Sequence, residues 1–303
     1  MKTLALVVSY NGEKTICSAL NSCLTDEHVS DLSLLIIDNA STDGTITAIQ
    51  SLNLNQLNII QMPRNVGVAT AYNLGLKKAK ELGAKWLFLL DQDSVCLHCC
   101  LNNLLEEANL LEKQGKPVGA VCANIQSWFF PDCTHFPYYW EGNSLVTAHQ
   151  SIESSSEIVI PIDSSLSSGT LYNVEALNAI GGFREDYFID FVDHECHIRL
   201  HQAGWKLWWH KHAILYHRLG IFQKMTDEGL WIEHQPYRYY YMARNMFEGQ
   251  RRLGGKPAAA RFVKRDLFGH IQRLWRYGKS PLKSSFFLIR GIIDGFLGRM
   301  GPR

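Results

Sequence analysis

The sequence predicts a doubly wound α/β domain, a mainly parallel sheet flanked by helices, followed by a helical C-terminal extension. Three observations predict it. Short apolar runs alternate with helical stretches through the first 125 residues, the pattern of βαβ units. Three of the predicted strands end in polar clusters: Ser9-Tyr10-Asn11, Asp38-Asn39 and Asp91-Gln92-Asp93. In open parallel sheets, ligands sit at such carboxyl ends. Finally, the chain from about Pro236 onward has helical character and many basic residues.

Taken in order, Leu4–Ser9 is an apolar run that reads as a first buried strand. It flows into a polar turn without a small-residue cleavage site, so a signal peptide is the weaker reading. Glu13–Leu24 reads as a helix and Leu32–Ile37 as the second strand, ending at Asp38-Asn39. Ser41 or Thr42 is placed to cap the next helix, with Asp43 in its first turn. Leu57–Gln61 is a short third strand, and Val66–Leu82 a helix stopped by Gly83. Trp86–Leu90 is a continuous apolar strand running into Asp91-Gln92-Asp93; Leu97–Lys113 is helical and Val118–Ala123 a fifth strand. Residues 126–160 are rich in aromatics, Ser and Pro without helical period, and read as loops and short strands laid over the ligand end. Regularity returns at Ser167-Ser168-Gly169-Thr170, with a helix near Val174–Ile180 and then Gly181-Gly182-Phe183. Asp193–Ala203 reads as a helix and Lys206–Leu215 as an aromatic strand leading to His217. The expected division is a catalytic domain over 1–220 and a basic helical region over 221–303.

A chain of 303 residues, 46% of them hydrophobic, supports a sizeable core. No run of about 18 apolar residues marks a transmembrane helix. Eight cysteines in so long a chain do not argue for a disulfide scaffold. Cys96-x-x-Cys99 with Cys100 lacks the second ligand pair of a closed zinc site, so reduced thiols are the better reading. The net charge of +1 conceals a polarity. Residues 221–303 carry 16 Lys and Arg against 6 Asp and Glu, a net of +10, leaving −9 for the rest. That points to an anionic partner for the C-terminal region.

Asp91 and Asp93 lie two apart at a strand end, so they project to the same side. Two such carboxylates with diphosphate oxygens make a site for a hard cation, Mg²⁺ or Mn²⁺. Three residues alone are a weak signal, a solvated strand end being the plainer alternative; the setting after five apolar residues strengthens it. Asp38 can accept the imide N–H of a uracil or thymine base, or serve only as a turn residue. Arg64-Asn65-Val66-Gly67 opens a helix rich in small residues, and helix N-termini suit anions. Close helix–sheet packing explains the same glycine and alanines.

Val7-Val8-Ser9-Tyr10-Asn11, Ile37-Asp38-Asn39-Ala40-Ser41-Thr42-Asp43-Gly44-Thr45, Arg64-Asn65-Val66-Gly67 and Asp91-Gln92-Asp93-Ser94 occur in the order that resembles family 2 glycosyltransferases of GT-A fold. Leu90-Asp91-Gln92-Asp93-Ser94 and Asp190-Phe191-Val192-Asp193-His194-Glu195 look like the bacterial rhamnosyltransferases of that family. The resemblance covers residues 1 to about 220 and extends loosely through Tyr237–Asn245. It implies a donor site formed by Tyr10, Asp38, Arg64, Asn65, Gly67 and Asp91, and a metal held by Asp91, Asp93 and His217. It implies Asp193 as the catalytic base, although Val192 stands where the family has a glutamate. Glu195 and Arg244 are lesser candidates. The plainer alternatives are helix-terminal charge for Asp193 and a satisfied histidine beside an aromatic strand for His217. Trp205, Trp208 and Trp209 read as core, whereas sugar stacking is more plausible for the aromatics of the insert, such as Trp128, Tyr138 and Trp140.

The expectation is an inverting transferase moving a sugar to a hydroxyl of a lipid-linked or polysaccharide acceptor in surface-glycan synthesis. The resemblance alone points to dTDP-L-rhamnose as donor, with a UDP-sugar as alternative. A non-catalytic nucleotide- or glycan-binding protein is the other alternative. A nucleotidyltransferase would carry a Gly-rich basic loop where Ser9-Tyr10-Asn11-Gly12-Glu13 stands, and no nucleic-acid reading motif is present. Apolar residues at 286, 289, 292, 293, 296 and 297 with interspersed arginines suit a basic amphipathic helix on an anionic membrane surface, a helix packed on the catalytic domain with a solvated basic face being the plainer alternative. The expected location is cytoplasmic, peripheral on the inner membrane face.

Overall fold

A computed structural model describes residues 2–24, 29, 31–52, 57–141 and 144–303. Met1, ahead of the first predicted strand, and residues 142–143 of the predicted insert lie outside them. The chain begins β1 (Thr3–Ser9), α1 (Ile16–Leu24), β2 (Leu32–Asp38), α2 (Thr45–Ser51), β3 (Leu57–Gln61) and α3 (Val68–Glu81). It continues β4 (Trp86–Asp91), β5 (Ser94–Cys96), α4 (Cys100–Lys113) and β6 (Val118–Ser127). The insert supplies β7 (Thr134–His135), a hairpin of β8 (Tyr138–Glu141) and β9 (Ser144–Thr147), α5 (His149–Glu153) and β10 (Val159–Ile162). Then follow β11 (Thr170–Asn173), α6 (Val174–Ala179), α7 (Val192–Gln202) and β12 (Lys206–His217).

These strands form a sheet in the order β10-β12-β6-β11-β4-β1-β2-β3, with β5 beside β12 and β7 beside β6. Strands β3, β2, β1 and β4 are parallel, as are β6 and β12. The alternation along β1 explains why the sheet needs helices on both faces. Leu4, Leu6 and Val8 join a core with Ala69, Tyr72 and Leu76 of α3 and Leu200 of α7. Ala5 and Val7 join the opposite core with Ile16 and Leu20 of α1 and Leu104 of α4. Trp208 and Trp209 are buried, one in each core, as expected for packing residues.

One strand is not read from the sequence, and one expectation is corrected. β11 wedges between β4 and β6, antiparallel to both. Its four residues are all buried, so no alternation betrays it. Ser41 and Thr42 do not cap α2, which starts behind Gly44 without a side-chain cap. The Ser41 side chain turns back to Asp38 instead.

The region after residue 220 is not wholly helical either. It opens with a hairpin, β13 (Phe222–Thr226) and β14 (Gly229–Glu233), whose tight turn uses Gly229 at φ 95°. Helices follow: α8 (Pro236–Arg261), broken at Gly255; a π-helical turn over Phe262–Leu267; α9 (Phe268–Tyr277); and α10 (Pro281–Phe296). Trp231 of the hairpin packs with Tyr239, Leu274 and Leu288 in a core of their own. Helix α10 lies very close on α8. A Cβ on Gly291 would stand 2.3 Å from the Tyr240 carbonyl, so only glycine permits this approach. No helix among the described residues is long and apolar enough to cross a membrane.

Candidate active site

The parallel register brings the polar strand ends together. Ser9 pairs across from Asp38, and Val8 from Asp91, so the ends of β2, β1 and β4 stand side by side. Asp38 is 2% exposed. Its Oδ1 accepts from the Ser9 and Ser41 hydroxyls at 2.9 and 2.5 Å, and its Oδ2 accepts the Ser41 N–H at 3.0 Å. A carboxylate has about four lone-pair positions, so this one is fixed in place with one acceptor position left on Oδ2. Asn39 clamps the following turn: its Oδ1 accepts the Val66 N–H and its Nδ2 donates to the Gly67 carbonyl, both at 3.3 Å.

The Arg64–Gly67 turn opens α3, but that helix end is not an open anion cradle. The Val68 N–H donates to the Phe188 carbonyl at 2.8 Å. Gly67 sits at φ 82°, and a Cβ there would lie 2.5 Å from that same oxygen. Arg64 itself is exposed and has no ion-pair partner among the described residues. Asn65 accepts the Gly67 N–H. Tyr10 is 45% exposed, and its backbone is clasped by Gln92, which accepts the Tyr10 N–H at 2.8 Å and donates to its carbonyl at 3.0 Å.

Asp91, Asp93 and His217 offer three ligand atoms that all lie within 4.8 Å of one another. Pairing of β5 with β12 sets His217 opposite Ser94. The Ser94 hydroxyl meets His217 Nδ1 at 2.6 Å, while Nε2 lies 3.6 Å from Asp91 Oδ2 and Nδ1 lies 3.4 Å from Asp93 Oδ1. Burial pushes the Asp91 carboxyl up, opposed by His217; Asp93 pushes the same way as burial. Two carboxylates at a strand end, beside an imidazole turned by its own hydrogen bond, fit a divalent cation with oxygen and nitrogen ligands.

Asp193 is on the first turn of α7. Its Oδ2 accepts the Ser167 N–H at 3.2 Å and its Oδ1 the His194 N–H at 2.8 Å. The Tyr72 hydroxyl bridges toward the metal side, 3.1 Å from Ser167 Oγ and 3.4 Å from Asp91 Oδ1. Asp193 and the Asp91 cluster are thus joined through Ser167, by its backbone N–H on one side and its hydroxyl on the other, and through the Tyr72 hydroxyl. Glu195 points elsewhere. It is 5% exposed, gripped at both oxygens by Arg199 and reached by Arg252, which makes it a packing ion pair and not an acceptor base. Arg244 is fully buried, with its guanidinium on the carbonyls of Asp186, Tyr187 and Gly301, so no ligand reaches it.

The loop ahead of Asp193 is strained. Phe188, Asp190 and Phe191 all have φ between 62° and 66°. Left-handed backbone at non-glycine residues costs on the order of 1–3 kcal/mol each. Helix α8 holds it there. The Asn245 amide donates to the carbonyls of Tyr187, Ile189 and Asp190 at 2.8–3.0 Å, and Arg238 grips the Asp190 carboxylate. Much of the C-terminal basic charge is therefore engaged internally. Arg252 pairs with Glu195, Arg276 with Asp227 and Glu228, and Arg299 and Arg303 with Asp294.

Sequence reasoning did not single out Tyr72, Gln92, Ser94, Ser167 or Arg238 as site residues. Tyr72 carried the best available signal, a lone large polar ring on the small-residue face of α3.

The sequence profile described as Glycosyl transferase family 2 matches residues 5–171. The dTDP-rhamnosyl transferase RfbF of Shigella flexneri is 27% identical over 245 residues, covering 80% of this chain and 78% of its own. Among solved structures, TarS 1-349 of S. aureus in complex with UDP-GlcNAc superposes with a TM-score of 0.61 at 17% identity, covering 97% of this chain and 81% of that one. The mannosyltransferase PcManGT from Pyrobaculum calidifontis, in complex with GDP-Man and Mn²⁺, gives 0.57 at 14% identity, covering 98% and 88%. These likenesses establish the shared GT-A fold.

Proposed function

The chain belongs to glycosyl transferase family 2, and from that premise we propose that it transfers L-rhamnose from dTDP-L-rhamnose, with inversion, to a hydroxyl of a lipid-linked or polysaccharide acceptor. The single observation that carries a transferase reading is the convergence of Asp91, Asp93 and His217 beside the fixed Asp38 carboxylate, with Asp193 linked to it through Ser167 and Tyr72. Similarity to RfbF over most of both chains supports the choice of donor.

In this reading Asp38 takes the base N–H with its remaining acceptor position, and Tyr10 and the Arg64–Gly67 turn flank the nucleotide. A divalent cation held by Asp91, Asp93 and His217 would neutralise the departing diphosphate. Asp193 takes the proton of the acceptor hydroxyl; both its oxygens are oriented by backbone N–H groups and each keeps an acceptor position free. One base and one leaving group suffice for a single displacement with inversion. The enzyme works peripherally at the inner face of the cytoplasmic membrane, against anionic lipid, through its basic C-terminal helices.

The test is a calorimetric donor screen with Mn²⁺ or Mg²⁺, comparing dTDP-rhamnose with UDP- and GDP-sugars, followed by transfer assays on the donor that binds. Tightest binding of dTDP-rhamnose is the expected result. Preference for a UDP-sugar would replace the donor. Binding without transfer to any acceptor in a broad panel would favour a non-catalytic role.

A further inference from the structure

A cavity of about 240 Å³ lies between α8, α10 and the last residues, walled by Tyr237, Tyr240, Tyr241, Phe287, Arg290 and Arg303. The hydroxyls of two walls are already engaged: Tyr240 donates to Asp294 at 2.9 Å, and Tyr241 accepts the Arg303 N–H at 2.9 Å. Both hydroxyls thus have partners within the fold. Arg303 has one ion pair, to Asp294 at 3.4 Å. Arg290 is exposed and has no carboxylate partner among the described residues. The cavity thus offers apolar walls and two guanidiniums, one of them uncompensated. That suits a phosphate ester better than a polyhydroxylated sugar.

The same helix carries an unpartnered apolar face. Leu282, Phe286, Ile289, Ile293, Phe296 and Leu297 are between 50% and 72% exposed. Arg290 is four residues after Phe286 and three before Ile293, so it borders that stripe; Phe287, three residues earlier, lines the cavity. Cavity and stripe are therefore continuous across Arg290. At about 240 Å³ the cavity is smaller than the roughly 300–1,000 Å³ that engulfs a whole small-molecule ligand. It has room for a head group whose tail lies outside.

The cavity also communicates with the proposed base. The Tyr241 ring stacks on Phe188 at 5.1 Å, in the strained loop before Asp193. Tyr237 directly precedes Arg238, which holds Asp190 of that loop.

We propose that this cavity seats the phosphate of a lipid-linked acceptor, with Arg290 and Arg303 on the phosphate and the hydrocarbon chain running along the exposed face of α10. It rests on the transferase reading for calling the lipid an acceptor, but the binding site itself does not depend on that reading.

The test uses the full chain in EDTA, where metal-assisted diphosphate binding at the donor site is suppressed. Titration with farnesyl diphosphate, farnesol and inorganic diphosphate is followed by calorimetry, and sedimentation with phosphatidylglycerol vesicles is measured alongside. Farnesyl diphosphate is expected to bind at least about tenfold more tightly than either half-molecule. The Arg290→Gln/Arg303→Gln variant should lose at least about tenfold of that affinity, while nucleoside diphosphate with Mn²⁺ binds as before. Farnesyl diphosphate binding that is no tighter than the halves, or indifferent to the double variant, overturns the proposal. So does vesicle binding without farnesyl diphosphate binding, which makes the face a plain membrane contact. If sugar nucleotide binds and is transferred while the lipid phosphate fails, the transferase reading stands and this site falls. If no sugar nucleotide binds but Arg290-dependent lipid-phosphate binding persists, the site stands and the transferase reading falls.

Discussion

Arg238 and Asp190 form a two-point ion pair, with Nε and Nη2 of the guanidinium 2.8 and 2.6 Å from the two carboxylate oxygens. It fastens α8 to the loop that delivers Asp193. Arg238→Gln removes the fork and frees a strained segment. A fall in kcat of about 10- to 100-fold is expected, because misplacing the proposed base by about 1 Å suffices for that. Arg238→Lys keeps the charge without the fork and should recover only part of the rate. Steady-state kinetics beside thermal melts distinguish this from simple unfolding.

Asn245→Ala tests the same strap from its buried side. The carbonyls of Ile189 and Asp190 lose the Asn245 donor, while that of Tyr187 keeps Arg244. The expected cost is on the order of 2–3 kcal/mol in urea unfolding. A change within about 0.5 kcal/mol would mean the strap supports itself.

Asp193→Asn should lower transfer by about 10²- to 10⁴-fold while donor affinity stays nearly intact. Glu195→Gln should do the reverse, weakening the fold through its two arginines and sparing kcat in the molecules that remain folded. Normal turnover by the Asp193 variant would remove it from the base role.

Asp93→Ala and His217→Ala should each weaken metal-dependent binding of the nucleoside diphosphate at least tenfold, about 1.4 kcal/mol. Calorimetry with and without Mn²⁺ measures it, and unchanged affinity contradicts the metal site. Tyr72→Phe deletes the hydroxyl between Asp91 and Ser167. A net hydrogen-bond loss of about 1 kcal/mol corresponds to a fall in kcat of roughly fivefold.

Stability should fall on acidification. Burial holds the His197 ring well below its usual range, with His194 and His201 adding to it. Burial likewise lowers His234 and His270 to about 4. Below a pH of about 6.5 the unfolded chain takes up protons that these folded rings refuse. More protons on the unfolded state means that stability is fully present above that pH and is lost as pH falls toward 4. Urea midpoints measured from pH 8 to 5 should decline steadily. A level profile would show that these rings protonate in place.

The strand ends were legible because a parallel sheet with period-two side chains aligns Ser9, Asp38 and Asp91 from spacing alone. The antiparallel β11 was not, since a four-residue strand buried on both faces has no pattern. Tyr72 and Arg238 escaped for a different reason: their roles come from contacts across 19 and 48 residues, and local periodicity carries no information about them. The basic C-terminal charge was visible as a sum, but its pairing with Asp190 and Glu195 required the fold.

The excursion between β6 and β11 has a consequence for how this enzyme can diversify. It runs from Ser127 to Thr170, adding β7 and β10 to the same sheet on the way, and β6 and β11 are immediate neighbours, with Thr170 opposite Cys122. The stretch between β7 and β10 is anchored to the sheet at both ends, so doubling its length adds only about 0.6 kcal/mol of closure entropy. Tyr138 within it lies edge-on to His194, next to Asp193. A lineage can therefore trade one graft for another above the proposed base while Asp38, Asp91 and Asp93, rooted in other strands, stay still. Chimeras cut after Ser127 and before Val159, leaving β10 on β12, are the natural way to redirect which hydroxyl is glycosylated.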